Sequence, residues 1–494
     1  LLIQTTFQPA QLYEAVHELI RMAYPKHDLV RVETPSAQVK LNMQMDLQDQ
    51  RVTFSGWIIS KEKETARKET YFLDEIERDE LHRHLNRLTR RFAYDLLVEH
   101  TGHSINSYGI LTGMRPVKLV HRMLEQGMSP IQIREQLTSD FRMSPEKAEL
   151  IMEVASNNYP FAVRGPQAYK TVGLYIGIPF CPSRCYYCSF PGAVYRAGDS
   201  LQSFLQALER EMEGISQVLN DTGRSVQSIY IGGGTPTVLS EAELDLLFSH
   251  LNRWFISPAT LEITVEAGRP DTLTPSKLRL LKDAGANRIC INPQTMNNET
   301  LVKIGRAHDR EGVVRSVNWA REAGFRQINM DLIVGLPDEG RQEYQRTAED
   351  ILALAPENIT VHTLAVKRGS PMAEQEGRES VGDRVKTVQE GLIMMETFFR
   401  ANNYKPYYLY RQKYMQASME NIGYSLPGHF CLYNINMIEE KQTIIGIGGG
   451  AASKFVNPRD GELKSFYNPK NPAVYAESVD RLIAAKVDKL KAVH

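Results

Sequence analysis

The sequence predicts an α/β chain built on an open partial (β/α)6 barrel, with an α+β region before it and a small helical, loop-rich extension after it. Three observations carry this. From Thr171 onward, apolar β-branched runs alternate with helical stretches, six such units follow one another, and polar or charged residues fall at the ends of the strand candidates. Successive strand and helix units imply a parallel sheet with right-handed crossovers. Functional groups gathered at strand C-termini favour a partial barrel over a flat doubly wound sheet. The expected division is therefore 1–165, 166–370 and 371–494.

In the first region Leu12, Val16, Leu19 and Ile20 recur at helical spacing and the pattern stops at Pro25, which predicts a short amphipathic helix. Val39 to Leu47 alternates, as does Val52 to Ile58 beyond the polar Asp49-Gln50, which predicts a β-hairpin. From Glu77 to about His100, Leu81, Leu85, Leu88 and Phe92 share one helical face, and the arginines interleaved with acids read as a solvated face. Tyr108 to Pro116 is turn-rich, and Pro116 is placed to open the next helix.

The barrel strands are expected at Thr171 to Phe180, Ser228 to Gly232, Leu261 to Ala267, Arg288 to Ile291, Ile328 to Val334 and Asn358 to Leu364. Helices are expected at Leu201 to Leu219, Glu241 to Trp254, Ser276 to Ala284 and Tyr344 to Ala353. Beyond Arg368 the regularity fades into one helix from about Asp383 to Arg400, the aromatic Tyr404 to Tyr410 and a loop-rich tail.

At 494 residues the chain has room for several cores. A net charge of -1 with 24% charged residues advertises no nucleic-acid or lipid surface. The sequence shows no apolar run of membrane-spanning length and no signal-peptide pattern. Five cysteines do not make a disulfide framework, so a reducing, cytoplasmic location is expected.

Three of those cysteines, Cys181, Cys185 and Cys188, lie within eight residues after the first barrel strand. Three thiolates on one loop can hold three irons of a [4Fe-4S] cube and leave the fourth open to a small chelating molecule. The alternatives are a structural zinc site, which usually takes four ligands, or clustered free thiols. The C-x3-C-x2-C spacing resembles that of the radical S-adenosylmethionine (SAM) superfamily. That resemblance implies SAM at the open iron and a 5'-deoxyadenosyl radical as the reactive species.

Ile231-Gly-Gly-Gly-Thr-Pro236 follows the second strand, where glycines allow the backbone to approach a ligand closely. Gly233, Gly234 and Thr235 are read as a SAM-binding turn. Gly446-Ile-Gly-Gly-Gly-Ala451 matches a dinucleotide fingerprint, but no βαβ unit follows it, so a glycine loop closing over the site is the better reading. Glu262 and Glu266 share one face of the third strand. Buried carboxylates need partners, either ribose hydroxyls or a salt bridge to Arg269 or Arg288. Asp331 lies inside an apolar strand, where it too needs a partner. His308 and His362 are candidate acid-base groups, although a lone histidine is more often a satisfied core or surface residue.

With these motifs in register, the chain is identified as resembling the oxygen-independent coproporphyrinogen III dehydrogenase family of radical SAM proteins, in its longer HemZ-type branch. Tyr175-x-x-Ile-Pro-Phe-Cys181, the glycine turn, Glu266, Gln294, Arg306, Asp331 within Asp331-Leu-Ile-Val-Gly-Leu-Pro337, and Ala365 match family landmarks. The family's intervals of twelve residues from Gln294 to Arg306 and twenty-five from Arg306 to Asp331 are kept. The resemblance implies a [4Fe-4S] cluster on Cys181, Cys185 and Cys188. It also implies SAM contacts from Tyr175, Tyr187, Gly233, Gly234, Thr235, Glu266, Gln294, Arg306, Asp331 and Ala365.

The implied reaction is oxidative decarboxylation of two propionates of coproporphyrinogen III to vinyl groups, giving protoporphyrinogen IX. Such a reaction calls for a low-potential electron donor such as flavodoxin or ferredoxin. Lys367, Arg368, Arg411 and Lys413 are candidate partners for the substrate carboxylates. Two departures from the decarboxylase pattern stand out: Phe190 replaces a cysteine two residues beyond the third ligand, and Gly177 replaces a histidine two residues beyond Tyr175. Cys-x-Phe is similar to the family's haem-trafficking chaperones, so a haem chaperone remains an alternative, as does a radical SAM methyltransferase acting on haem.

Overall fold

The computed structural model of the chain describes residues 1–25, 27–73, 78–165, 167–188, 192–196, 201–365, 369–375, 385–411, 419–457, 459 and 461–492. Two units emerge, Leu1–Glu153 and Val154–His494, and the division falls within the helix Pro145–Asn158 rather than at residue 165.

The first unit contains β1 (Leu2–Gln8), β2 (Asp28–Val30), β3 (Val39–Gln48), β4 (Arg51–Ser60) and β5 (Glu64–Phe72), in sheet order β2-β1-β3-β4-β5. The expected hairpin is β3 and β4, turning through Asp49 at φ 50°. The amphipathic helix Leu12–Ala23 buries Leu12, Val16, Leu19 and Ile20, and Phe92 of the helix Arg78–Thr101 stacks on Phe54 of β4 at 5.5 Å. Strand β5 escaped the sequence reading because, apart from Thr65, its residues are exposed or half-buried, which leaves no apolar alternation to detect.

The second unit carries β6 (Thr171–Ile178), β7 (Phe180–Cys181), β8 (Ala193–Val194), β9 (Ser225–Gly233), β10 (Glu262–Glu266), β11 (Arg288–Cys290), β12 (Ile328–Val334) and β13 (Asn358–Thr363). Strands β6, β9, β10, β11, β12 and β13 are neighbours in that order and all parallel. This is the expected (β/α)6 succession, and it puts all six strand C-termini along one edge. Local sequence starts the intervening helices cleanly. Ser240 and Glu243 form a capping box on Glu241–Trp254, and Thr274 caps Pro275–Asp283 ahead of a proline.

Residues 371–494, expected to be a helical and loop-rich extension, instead extend this sheet at both edges. They supply β14 (Lys405–Arg411), β15 (Glu420–Ser425), β16 (Ile444–Gly448), β17 (Ala452–Val456) and β18 (Leu463–Tyr467). The full order is β14-β15-β13-β12-β11-β10-β9-β6-β16-β17-β18, an open sheet. The aromatic run is a strand, and the second glycine motif is the end of β16, parallel to β6, with its turn into β17. A glycine-rich strand end gives no apolar alternation, so its pairing is visible only in three dimensions.

One buried ion pair fastens this edge. Glu211 on the helix Gln202–Asp221 meets Lys486 on the helix Pro472–Ala492, both with fully buried side chains. Glu211 also accepts from Tyr475 Oη at 2.7 Å and Gly448 N at 2.8 Å, while Lys486 donates to Gly446 O. Burial pushes the Lys486 ammonium below its usual range, against the pull of Glu211. Removing one partner of such a pair strands the other charge. Lys486→Met should therefore lower stability by about 3–5 kcal/mol in urea unfolding followed by circular dichroism, and adding Glu211→Leu should recover part of the loss.

Candidate functional site

The cysteine loop leaves the C-terminal end of β6 and is closed at its base by β7 and β8, which pair in parallel, Phe180 with Ala193 and Cys181 with Val194. Within it, Cys188 N donates to Cys185 O at 3.1 Å, a turn that draws those two residues together. The end of β9 runs alongside. Gly234 N donates to Ile178 O at 2.8 Å and Thr235 N to Phe180 O at 2.7 Å. A β-carbon at Gly234 would stand 2.3 Å from Phe180 O and 2.9 Å from Cys181 Sγ, and Gly233 has φ +118°. Only glycine allows this approach.

Cys185 is buried, and Cys181 and Cys188 are half-buried. Thr235 Oγ1 lies 3.6 Å from Cys181 Sγ. Burial pushes the Cys181 thiol up, Thr235 opposes this, and Cys188 and Cys185 push it further. Among the described residues no three His, Cys, Asp or Glu side chains converge on a single metal ion. A cube gives each thiolate its own iron, so three such thiols need not meet at a single ion.

Two buried arginines face the loop. Arg306 donates from Nη1 to Gly268 O at 2.9 Å and from Nη2 to Tyr187 Oη at 3.0 Å. Its Nε has no hydrogen-bond partner among the described residues, a buried donor left over for a ligand. Arg269 reaches Cys185 Sγ at 3.4 Å and Ser183 Oγ at 3.0 Å. The sequence offers Arg269 only as a salt-bridge partner for Glu262 or Glu266, and its position just after β10 is the one available signal.

Acids stand on the other side. Burial and nearby Asp331 push the Glu266 carboxyl up to about 8, against Gly233 N–H and Arg306. Asp331 finds the partners it needs: Asn329 Nδ2 donates to its Oδ1 at 2.8 Å and His362 Nε2 lies 3.7 Å from its Oδ2. Burial would raise the Asp331 carboxyl, but His362 and Asn329 hold it below the usual aspartate range. Tyr410 Oη in turn meets His362 Nδ1 at 3.3 Å. Gln294, at φ +72°, bridges to β12 through Gln294 N to Asp331 O at 3.0 Å. Tyr175 stacks on Tyr230 at 6.0 Å and Tyr433 at 6.3 Å. A cavity of about 210 Å³ is lined by Tyr230, Asp331, Thr360, His362, Tyr410 and Asn434 among others. Two larger hollows, about 530 and 480 Å³, are lined by none of these residues. Ala365 is half-buried just beyond β13.

Other expectations fare differently. Glu262 does not join Glu266 in the site. It is buried, lies 3.5 Å from Arg288 Nε and accepts from Leu432 N and Tyr433 N at 2.8 and 3.0 Å, holding the start of the helix Leu432–Glu439. His308 is buried with Nδ1 3.8 Å from Asp271. Arg411 is buried at the end of β14, opposite Glu420 in register. Lys367, Arg368, Lys413 and Phe190 lie outside the described residues. The Gly446–Ala451 motif, expected as a glycine loop closing over the site, is the end of β16 and its turn into β17, packed on Gly177 and Pro179. Gly177 carries no side chain because a β-carbon there would meet Gly449 O at 2.7 Å. The replaced histidine of the decarboxylase pattern therefore has no room in this chain.

The sequence model of the Radical SAM superfamily matches residues 175–351. The chain is 38% identical over 494 residues, 98% of its length and 96% of the relative's, to the oxygen-independent coproporphyrinogen-III oxidase-like protein HemZ of Bacillus subtilis. It belongs to the HemZ-type family of radical SAM proteins. The heme chaperone HemW of the same organism is 39% identical over 194 residues, 39% of this chain and 50% of that one. Among solved structures, coproporphyrinogen III oxidase (HemN) from Escherichia coli superposes with a TM-score of 0.52 at 24% identity, over 66% of this chain and 72% of that one, a likeness of fold. Radical SAM proteins use a [4Fe-4S] cluster and SAM, and these are the cofactors of this family member.

Two outcomes follow for the protein without cofactors. Gly234→Ala forces the backbone at Phe180 aside and should lower stability by about 1–3 kcal/mol in urea unfolding. Glu266 holds a proton in the folded state up to about pH 8, whereas an unfolded glutamate releases it near about 4.3. The folded state binds more protons in that window, so its contribution to stability is lost as pH rises. Glu266→Gln should flatten this decline, read as the wild-type minus variant difference in unfolding midpoint between pH 5 and pH 9.

Proposed function

We propose that the chain carries out the oxidative decarboxylation of two propionates of coproporphyrinogen III, giving protoporphyrinogen IX. The observation that supports it best is the likeness over 98% of the chain, N-terminal region included, to a coproporphyrinogen-III oxidase-like protein. In this reading Cys181, Cys185 and Cys188 hold the cluster. Gly233, Gly234 and Thr235 offer backbone and hydroxyl groups to SAM, and Glu266, Gln294 and Asp331 offer it their polar atoms, Asp331 from the wall of the cavity. Arg306 spends two donors on Gly268 and Tyr187 and keeps Nε for the cofactor. The stacked rings of Tyr175, Tyr230 and Tyr433 exclude water from one wall, and Ala365 leaves space beyond β13.

When bound, the cluster and SAM supply hydrogen-abstracting radical chemistry, and loss of a hydrogen atom, CO2 and one electron from each propionate leaves a vinyl group. A flavodoxin or ferredoxin would supply low-potential electrons. His362, between Asp331 and Tyr410, keeps the Asp331 carboxylate ionised and fixed in direction toward the cavity side of β12.

A second reading, a haem chaperone, is favoured by the Cys-x-Phe form ending at Phe190 and by the likeness to heme chaperone HemW. Anaerobic reconstitution with iron and sulfide, then incubation with reductant, SAM and coproporphyrinogen III, separates the two by mass spectrometry. The decarboxylase gives 5'-deoxyadenosine and a product lighter by two CO2 and four hydrogens. Stoichiometric haem binding with both propionates intact supports the chaperone. Replacing all three loop cysteines by alanine should reduce iron retained after desalting from about four per chain to near zero.

A further inference from the structure

A guanidinium is built into the wall behind the cysteine loop, and the reading proposed above gives it no task. Arg269 directly follows Gly268 beyond β10, with extended backbone at φ -124° and ψ 101°, and opens a short 3-10 turn, Pro270–Thr272. Its residue exposure is 3%, so the charge is withdrawn from water. Such a cation needs close partners. Asp271 provides them: Nε donates to Oδ1 at 3.0 Å and Nη2 to Oδ2 at 3.1 Å, a bidentate fork that fixes the guanidinium plane. With that plane fixed, Nη2 also donates to Ser183 Oγ at 3.0 Å and Nη1 is directed at Cys185 Sγ, 3.4 Å away. Both of those partners belong to the cysteine loop. His308 Nδ1 lies 3.8 Å from the same Oδ1 of Asp271.

We infer that Arg269 is a positioning residue for the iron-sulfur centre, which fixes the Cys185 arm of the loop and raises the reduction potential of the cluster through an N–H···S hydrogen bond from a buried cation. The inference rests on the cluster reading of Cys181, Cys185 and Cys188. Hydrogen bonds to ligating sulfur and nearby positive charge stabilise the reduced, more negative cluster over the oxidised one. Burial leaves little water to screen the effect. Lysine would keep the charge and lose the planar fork, so it cannot satisfy Asp271, Ser183 and Cys185 together. The arrangement separates two tasks by side chain: Arg306 meets Tyr187 and Gly268 and keeps a donor free, while Arg269 is directed at the thiol itself.

The test uses the full chain reconstituted anaerobically with iron and sulfide, without SAM. Reductive titration followed by electron paramagnetic resonance gives the potential of the cluster, and iron and sulfide analysis gives its occupancy. Arg269→Gln should keep the cluster and, at a fixed solution potential, lower its reduced-to-oxidised ratio about tenfold, which is 59 mV for one electron. Asp271→Asn, which loosens the fork while leaving the guanidinium, should shift the potential the same way by less. Arg269→Lys should recover part of the change. Equal potentials in wild type and Arg269→Gln at equal iron content overturn the inference and leave the cluster reading standing. If Arg269→Gln retains no iron, the Asp271→Asn potential decides, and an unchanged value overturns it. A wild type that takes up no iron overturns the cluster reading, and this inference with it.

Discussion

The chain just beyond β9 comes so close to Phe180 of β7 that no β-carbon fits at Gly234, and the position of the cysteine loop depends on that contact. Backbone bonds from Gly234 and Thr235 to Ile178 and Phe180 fix where the chain turns out of the sheet. The turn presents Cys181 to Thr235 and leads into the short β7 and β8 pairing that closes the loop. A glycine costs conformational entropy in a strand, and here that cost secures a loop position that a side chain would block. The turn after β16 reinforces the same place from the other side, since Gly448 and Gly449 pack against Gly177 and Pro179.

Around this contact the charges are sorted. Arg269 and Arg306 stand near the thiols, where positive charge favours an electron-rich cluster, and each has its donors directed by a specific acceptor. Glu266 ends β10 and Asp331 lies within β12, and the two respond differently to burial. Glu266 has the acid Asp331 nearby and is raised, whereas Asp331 has His362 and Asn329 and is lowered. Two neighbouring buried carboxyls thereby favour different protonation states.

The relation between chemistry and scaffold is economical in a second way. The parallel strands bring their C-terminal ends to one edge, and residues 371–494 lengthen the sheet on both sides of that barrel core. The ion pair of Glu211 and Lys486 ties the last helix to β16, the strand that borders β6, so the far end of the chain contributes to holding the cysteine loop.

The sequence by itself determined the six parallel strands, the cysteine spacing and the register of Glu266, Gln294, Arg306 and Asp331, because period, spacing and turn chemistry are local properties written along the chain. It also showed that Asp331 needs a partner, without naming His362. Only the tertiary structure decided that Glu262 is held by Arg288 and a helix start, that Arg269 faces Cys185, and that the glycine-rich and aromatic tail segments are sheet strands. These outcomes depend on which groups meet across long stretches of sequence. A buried charge is satisfied by whatever lies within a few ångströms, and an added strand is fixed by the neighbour that accepts its hydrogen bonds.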